Sequence, residues 1–476
     1  MFDGKKVTVV GLARSGVAAA NLLFRSGARV TVTDRKGPSE LREYVERLDK
    51  GITTLLSGHP PEAFAGADMV VVSPGVPLDI PPLREASARG IRVIGELELA
   101  FEVAEKACPL AMPAFLAVTG TNGKSTTTSL LYEILMRGGY RVLLGGNIGT
   151  ALCEELLASS LGGTADFIVT EVSSFQLESV ERFRPKGATI LNVTPDHLDR
   201  YHSMEAYLDA KCRIFLNQSA GDFLVLNADD PLTGLIRQRV EASVTGRGCP
   251  RVLHFSRKER VEGSYLEGGF IRFAVSDATA EALGLRGREP TETLALDPAG
   301  FRIQGVHNIE NVMAAVLVAV LAGCSHEAVL SAVRTFEGLE HRLEFVREFH
   351  GVRYINDSKG TNVGAVMKSL EGFQNPVILI AGGRDKDSDF RLLRALVREK
   401  VKALVLIGEA RDKIRQAVGD LTETFDAGDL ESAVGRACAL AAPGDVVLLS
   451  PACASFDMFR DFEDRGCKYK EAVHKL

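Results

Sequence analysis

Residues 119–126 read TGTNGKST, and the stretches on either side decide what kind of loop this is. Phe115-Leu116-Ala117-Val118 enters it with the length and branching of a buried strand. Leu130-Leu131-Tyr132-Glu133-Ile134-Leu135-Met136 leaves it with apolar residues at helical spacing. Strand, glycine turn and helix start form the setting of a phosphate-binding loop. Gly120 and Gly123 let backbone N–H groups approach an anion with no Cβ in the way, and the helix N-terminus adds unpaired donors and partial positive charge. Lys124 can reach the β- and γ-phosphates, and Ser125 can offer its hydroxyl to Mg²⁺. The usual spacing asks for a glycine where Val118 stands. A glycine-rich turn with a solvated lysine is the plainer alternative, but strand, GKS and helix in register favour an ATP or GTP site.

The chain has 476 residues, enough for two to four domains. A hydrophobic content of 46% with 25% charged residues is that of a globular protein. A net charge of −6 does not favour nucleic acid or an anionic membrane. The eight cysteines contain no CxxC pair, which fits a reducing cytoplasm better than a zinc ribbon or a disulfide scaffold. MFDGKKVTVVG runs straight into a strand, so no signal peptide is expected. No apolar run reaches the roughly 18 residues of a membrane span. The expectation is a cytoplasmic protein with neither membrane insertion nor a nucleic-acid partner.

Outward from the loop, the first segment opens with Lys6–Val10 and GLARSG, where Gly11, Ala13 and Gly16 hold the three positions of a dinucleotide fingerprint. A second strand, Ala28–Thr33, ends at Asp34, about where such folds bind a ribose hydroxyl. Alanine at the middle position hinders approach to a pyrophosphate, so a tight packing turn and a nucleotide site are both open readings. Strand Asp68–Val72 runs into Ser73-Pro74-Gly75-Val76-Pro77, a rigid turn where open α/β sheets place ligands. Ile91–Ile94 and the helical GELELAFEVAEKA follow, and Ala107–Pro113, with two prolines, reads as a linker.

In the second segment, strand Arg141–Leu144 leads to Gly145-Gly146-Asn147, and Asp166–Thr170 ends in Glu171. A carboxylate ending a buried strand beside a phosphate loop is where a metal-binding acid sits. Ala188–Val193 leads to TPDHLDRYHSMEAYLDAK, with His197 in the loop and Lys211 in a helix beyond. Read from its surroundings alone, Lys211 is a helix-surface lysine. Short strands fill Phe223–Ile303, and helices are expected over Asn308–Ala322 and Glu327–Phe336. The third segment alternates strands (Val352–Ile355, Val377–Ile380, Ala403–Ile407, Asp445–Leu449) with helices, which predicts another parallel sheet covered on both faces.

GTNGKST, EVSSFQLE, NVTPDHLDRYHS, GVHNIEN, EGLEHRLE, NDSKGTN and SPACASFDMFRDFEDRG span nearly the whole chain. In this order they resemble the ATP-dependent Mur ligase family of peptidoglycan precursor synthesis. The resemblance implies an α/β chain of three domains. Residues 1–106 would form a Rossmann-like UDP-sugar domain, 107–338 a P-loop-type ATPase domain with a mainly parallel sheet, and 339–476 a Rossmann-like domain for the amino acid. The short GLARSG start, the SPG turn, NDSKGTN and SPACASFDMF resemble the branch that adds D-glutamate to UDP-N-acetylmuramoyl-L-alanine, and the DNPR signature of the diaminopimelate or lysine ligases is missing. The implied chemistry is amide formation through an acyl phosphate, with ATP as co-substrate, two Mg²⁺ ions and a monomeric enzyme acting on small molecules.

Carried onto this sequence, the resemblance assigns ATP to Gly120, Thr121, Asn122, Gly123, Lys124, Ser125 and Thr126, with Asn308, Asn311, Arg342 and Asp357. One Mg²⁺ would lie at Ser125 and Glu171, and a second at His197 and Lys211, the latter carrying a CO₂-derived carbamate. Arg14, Ser15, Asp34 and Arg35 would meet the uridine end of the sugar nucleotide, and Ser73, Pro74, Gly75, Asn147 and His197 its remainder. Thr361, Lys386, Ser455 and Phe462 would meet D-glutamate. Lys124, Glu171, His197, Lys211, Arg342 and Lys359 would be catalytic. The rival readings are an L-glutamate ligase resembling folylpolyglutamate synthase, an NAD-dependent oxidoreductase and a non-catalytic ATP-binding regulator.

Overall fold

Met69-Val70-Val71-Val72 and Val446-Val447-Leu448-Leu449 have no polar face at all. Such strands must be covered on both sides, which parallel sheets between helical layers achieve. The computed structural model, which describes residues 2–109, 111–159, 165–243, 248–285, 293–303 and 305–476, contains three sheets built this way. Residue 110, within the expected linker, lies outside the described residues.

The first sheet comprises β1 (Lys6–Val10), β2 (Arg29–Asp34), β3 (Thr53–Leu56), β4 (Met69–Val72) and β5 (Arg92–Gly95). All are parallel, in the order β3-β2-β1-β4-β5. The order reverses between β1 and β4, so a crevice opens beyond their C-terminal ends.

The second sheet holds β6 (Ala114–Thr119), β7 (Val142–Gly146), β8 (Phe167–Glu171), β9 (Gly187–Ile190), β10 (Phe223–Asn227), β11 (Arg251–Ser256), β12 (Gly263–Glu267), β13 (Phe270–Ala274) and β14 (Ala295–Leu296). Its order is β14-β13-β12-β11-β10-β9-β6-β8-β7, parallel except at β12–β13 and β13–β14. The strand expected over 188–193 stops at Ile190. Beyond it the Leu191 N–H still bonds Thr119 (3.0 Å), but the Val193 N–H turns to the Asp230 carboxylate (2.8 Å), and the chain leaves the sheet for the site.

The third sheet comprises β15 (Glu344–Phe349), β16 (Val352–Asn356), β17 (Val377–Gly382), β18 (Val401–Ile407), β19 (Glu423–Asp426) and β20 (Val446–Leu449), ordered β15-β16-β20-β17-β18-β19. The two edges, β15 and β19, are not among the expected strands. EFVREF and ETFD are charged and half exposed, as edge strands must be, so no apolar run marks them. β15 is also antiparallel to β16, an exception to the expected parallel sheet.

The helix Glu96–Ala107 joins the first two sheets into one core, with Leu97, Phe101 and Val103 in the same cluster as Phe115 and Phe183. The third sheet keeps its own two cores, one on each face. Among the described residues no helix is long and apolar enough to cross a membrane.

Candidate active site

The phosphate loop leaves β6 in the middle of its sheet. Gly120 (φ 151°) and Gly123 (φ 87°) adopt backbone conformations that L-residues avoid. A methyl at Gly123 would also run into the Asn311 side-chain oxygen. The loop's shape is set from below: Thr121 N–H donates to the Asn192 carbonyl (2.9 Å) and Asn122 N–H to Asn192 Oδ1 (2.8 Å). Gly123 caps the helix Lys124–Arg137, whose first N–H groups face the loop. Lys124 Nζ donates to the carbonyls of Gly120 (3.0 Å) and Thr121 (2.8 Å). Ser125 and Thr126 are buried at the helix start.

Glu171 ends β8, the strand next to β6, and is buried. Its Oε1 accepts from Asn147 Nδ2 (2.7 Å), while Oε2 is buried without a hydrogen-bond partner, with Ser125 nearby. Burial pushes this carboxyl up, but Lys359 and Lys124 outweigh it, so the group lies below its ordinary value. An orphaned carboxylate oxygen beside a hydroxyl is the hard donor set that Mg²⁺ takes, so these residues fit the ion.

Lys211 is 1% exposed, which corrects its reading as a helix-surface lysine. Its Nζ donates to the Gly120 carbonyl (2.8 Å) and lies 4.5 Å from the centre of the Tyr207 ring. Burial, then Lys124, drives its amine far below the ordinary lysine value. The helix Met204–Cys212 is apolar on more than one side, so its pattern could not reveal which lysine was inside. Tyr207 OH is 3.3 Å from Thr121 Oγ1, and the His197 ring stands edge-on to Phe175 with centroids 4.8 Å apart. His197 takes a left-handed backbone (φ 55°), and burial holds its imidazole at about 4 against the pull of Asp196.

Asn308 and Asn311 are buried on the helix Val306–Leu321, where Asn311 Nδ2 donates to Asn308 Oδ1 (3.1 Å). A cleft of about 330 Å³ lies between Gly123, Asn311 and His307 on one side and Arg342, Asp357 and Lys359 on the other. Asp357 is buried, accepts from Ser369 Oγ and Ser450 Oγ (2.7 Å each), and is raised by burial. Lys359 Nζ lies 4.9 Å from the centre of the Phe462 ring. Burial lowers its amine to about 8 despite Glu171.

In the first sheet, Arg14, Ser15, Asp34, Arg35, Ser73–Gly75 and Asn147 line a cleft of about 820 Å³. The Asp34 carboxylate accepts N–H bonds from Leu12 (2.7 Å) and Lys36 (2.8 Å), and Ser73 Oγ donates to the Gly11 carbonyl (2.7 Å). Both groups therefore shape the crevice as well as border it.

A third cleft, about 900 Å³, runs between the SPG turn, the loop of His197 and the loop of Lys386. Lys386 Nζ lies 3.7 Å from Asp196, which also accepts from Asn362 Nδ2 (3.2 Å). Thr361 follows Lys359 by two residues. Ser455 is buried in the loop after β20, and Phe462 starts the last helix beneath Lys359. Of the expected site residues, Asn122, Gly123, Asn311, Arg342, Asp357 and Lys359 thus line the first cleft, the sugar-nucleotide set the second, and His197 and Lys386 the third, whereas Lys124, Ser125, Glu171, Lys211, Asn308, Thr361, Ser455 and Phe462 are on none of these linings. Asp196, Tyr207, His307 and Asn362 went unassigned although all four stand in or just after quoted motifs. A carboxylate directly before His197 and a histidine directly before Asn308 were the available signals.

Residues 118–319 match the Mur ligase middle domain, 341–453 the Mur ligase glutamate ligase domain, and 5–95 the Mur ligase MurD-like N-terminal domain. The chain is 48% identical over 477 residues to a UDP-N-acetylmuramoylalanine--D-glutamate ligase of Geotalea daltonii, covering 100% of this chain and 98% of that protein. It is 44% identical to one of Pelotomaculum thermopropionicum, covering 100% and 98%. In fold it is similar to the UDP-N-acetylmuramate-alanine ligase of Thermotoga maritima (TM-score 0.61, 18% identity, 99% of each chain). It is also similar to a pseudomurein peptide ligase of Methanothermus fervidus (TM-score 0.58, 18% identity, 99% and 100%).

Proposed function

The chain belongs to the Mur ligase family, and from that membership we propose that it joins D-glutamate to UDP-N-acetylmuramoyl-L-alanine using ATP. The observation that carries the reading is that Asn122 and Gly123 of the phosphate loop share one cleft with Arg342 and Lys359, while Glu171, with its orphaned oxygen, is near enough to Lys359 and Lys124 for their charges to hold its carboxyl low. The relatives' shared name supports D-glutamate over the folate-ligase and non-catalytic readings. Residues 1–106 take the sugar nucleotide, 107–338 the ATP and 339–476 the amino acid. A cytoplasmic monomer is part of the same reading.

The L-alanine carboxylate attacks the γ-phosphorus, so two anions must meet. Lys124, Lys359 and Arg342 offset their repulsion. Ser125 and Glu171 would hold one Mg²⁺, and His197 with Lys211 a second; the ions supply charge neutralisation around the phosphates. Burial disfavours the charged Lys211 amine and so moves it toward the neutral form, which takes up CO₂ with loss of a proton to leave a carbamate anion. Attack yields an acyl phosphate and ADP. The D-glutamate amine, oriented by Lys386 and Thr361, then adds to the acyl carbon, and the tetrahedral intermediate expels phosphate. Closure of the third unit over the cleft keeps water from the acyl phosphate.

The test is phosphate release with Mg²⁺-ATP and UDP-N-acetylmuramoyl-L-alanine, comparing D-glutamate, L-glutamate and no amino acid, with the sugar nucleotide weighed by mass spectrometry. Release with D-glutamate alone, and a matching mass gain, is expected. ATP binding without release or product would overturn the reading.

A further inference from the structure

Among the described residues Arg465 is the largest fully buried side chain, at 0% exposure. It stands one turn into the helix Phe462–His474, and its guanidinium reaches under the loops that follow the central strands of the third sheet. Nε–H donates to Ser358 Oγ (3.0 Å), Nη2–H to the Ser358 carbonyl (2.8 Å) and Nη1–H to the Cys453 carbonyl (3.2 Å). All three acceptors are neutral. Among the described residues no carboxylate forms a salt bridge with it, and Asp457 and Asp357 act on it only from a distance. A buried cation normally has an anionic partner, so this one leaves positive charge inside the third sheet's unit.

The same side chain links the pieces that present the amino-acid contacts. Ser358 precedes Lys359 in the loop after β16, and its hydroxyl donates to the Phe462 carbonyl (2.8 Å). Cys453 lies two residues before Ser455 in the loop after β20. Nη1 is also, after Ala454 O and Cys453 Cβ, an atom that a methyl at Gly383 would meet, at 3.3 Å, in the loop after β17 that carries Lys386. These strands are adjacent, in the order β16-β20-β17. A lysine would offer one compact charge, where the guanidinium fork spans two loops at once.

We propose that Arg465 is the positioning residue of the amino-acid site: it sets the spacing of the loops bearing Thr361, Ser455 and Lys386, and its unpaired charge favours an acceptor with two carboxylates over one with a single carboxylate. The inference rests on the D-glutamate reading above.

Wild-type protein is first assayed with D-glutamate and with D-glutamine, then compared with Arg465→Lys, Arg465→Met and Ser358→Ala. In Arg465→Lys the KM for D-glutamate should rise about 10-fold or more while the KM values for ATP and sugar nucleotide stay within about twofold, because the fork but not the charge is lost. Arg465→Met should in addition lose most of the preference for D-glutamate over D-glutamine, since a site built for a polar group is what rejects an analogue lacking it. Ser358→Ala, which keeps the arginine, should raise the D-glutamate KM alone, and it decides the matter if thermal melts show the arginine variants unfolded. An unmoved D-glutamate KM, or a parallel rise in all three KM values, overturns the proposal while the ligase reading stands. A wild type idle with D-glutamate overturns the ligase reading, and this inference with it.

Discussion

Lys359 sits between burial, which lowers its amine to about 8, and Glu171, which pulls it up. In the proposed reaction its charge offsets two meeting anions, and kcat/KM reports groups of the free enzyme. The alkaline limb of kcat/KM for ATP should therefore fall near pH 8, and Lys359→Arg should move it upward. Lys359→Ala should cost about 10²–10³ in kcat. A limb that stays in place in the arginine variant would assign it to another group. His307 makes the opposite end of the pH scale informative. Burial, then Arg342, holds its imidazole at about 4. Between the unfolded value near 6.5 and 4, the unfolded chain binds a proton that the folded one refuses. The stability this histidine confers is therefore complete above about 6.5 and falls with pH, by at most about 1.4 kcal/mol per unit. Denaturation midpoints from pH 7 to 4 should fall less steeply in His307→Gln. At Gly123, alanine would combine a left-handed backbone, roughly 1–2 kcal/mol, with the collision against Asn311. Weaker ATP binding together with a lower melting temperature is expected there, and an unchanged ATP titration would show that the loop yields.

At the scale of elements, the helix Glu96–Ala107 explains how the first sheet and its cleft are held against the second sheet. It is lined by apolar residues, yet Glu96, Glu98 and Glu102 are also buried on it. Glu98 accepts the backbone N–H groups of Glu181 (2.9 Å), Arg182 (2.8 Å) and Phe183 (2.9 Å), tying the segment before β9 to the first sheet's helix. Glu98→Gln keeps the shape, loses the charge and sets an amide NH₂ against one of those donors. A loss of about 2–4 kcal/mol in urea unfolding is expected, since hydrogen bonds to charged groups count roughly 1.5–3 kcal/mol each. An unmoved midpoint would mean that residues 181–183 are held by other contacts. The motif GELELAFEVAEKA was legible as a helix from its leucines. That its glutamates point inward was not legible, because a charged residue in an amphipathic pattern reads as a solvated face.

Across the molecule, the first two sheets share one apolar core while the third has cores of its own. Among the described contacts, Asn362 and Lys386 on Asp196 are polar bridges from the third unit to the second. Polar bridges over a cleft exchange readily for substrate contacts, whereas a continuous core does not part. The first two units should move as one body and the third should close over them. Small-angle scattering with ATP analogue and sugar nucleotide should show a smaller radius of gyration than without. Superimposable profiles would count against closure.

The chain's local patterns determined a good deal without help. Apolar runs followed by glycine turns located the central strands and the phosphate loop, and the ordered motifs pointed to the family, because strand burial and glycine backbone freedom are written in neighbouring residues. The tertiary structure alone decided which charges lie inside. Lys211 became a fully buried amine, Glu171 kept an oxygen without a partner, Asp34 went to two backbone N–H groups, and Arg465 settled beneath three loops. Each outcome depends on desolvation and, the Lys36 N–H at Asp34 apart, on partners 12 to 107 residues away. A short window of sequence shows neither the burial nor most of those partners.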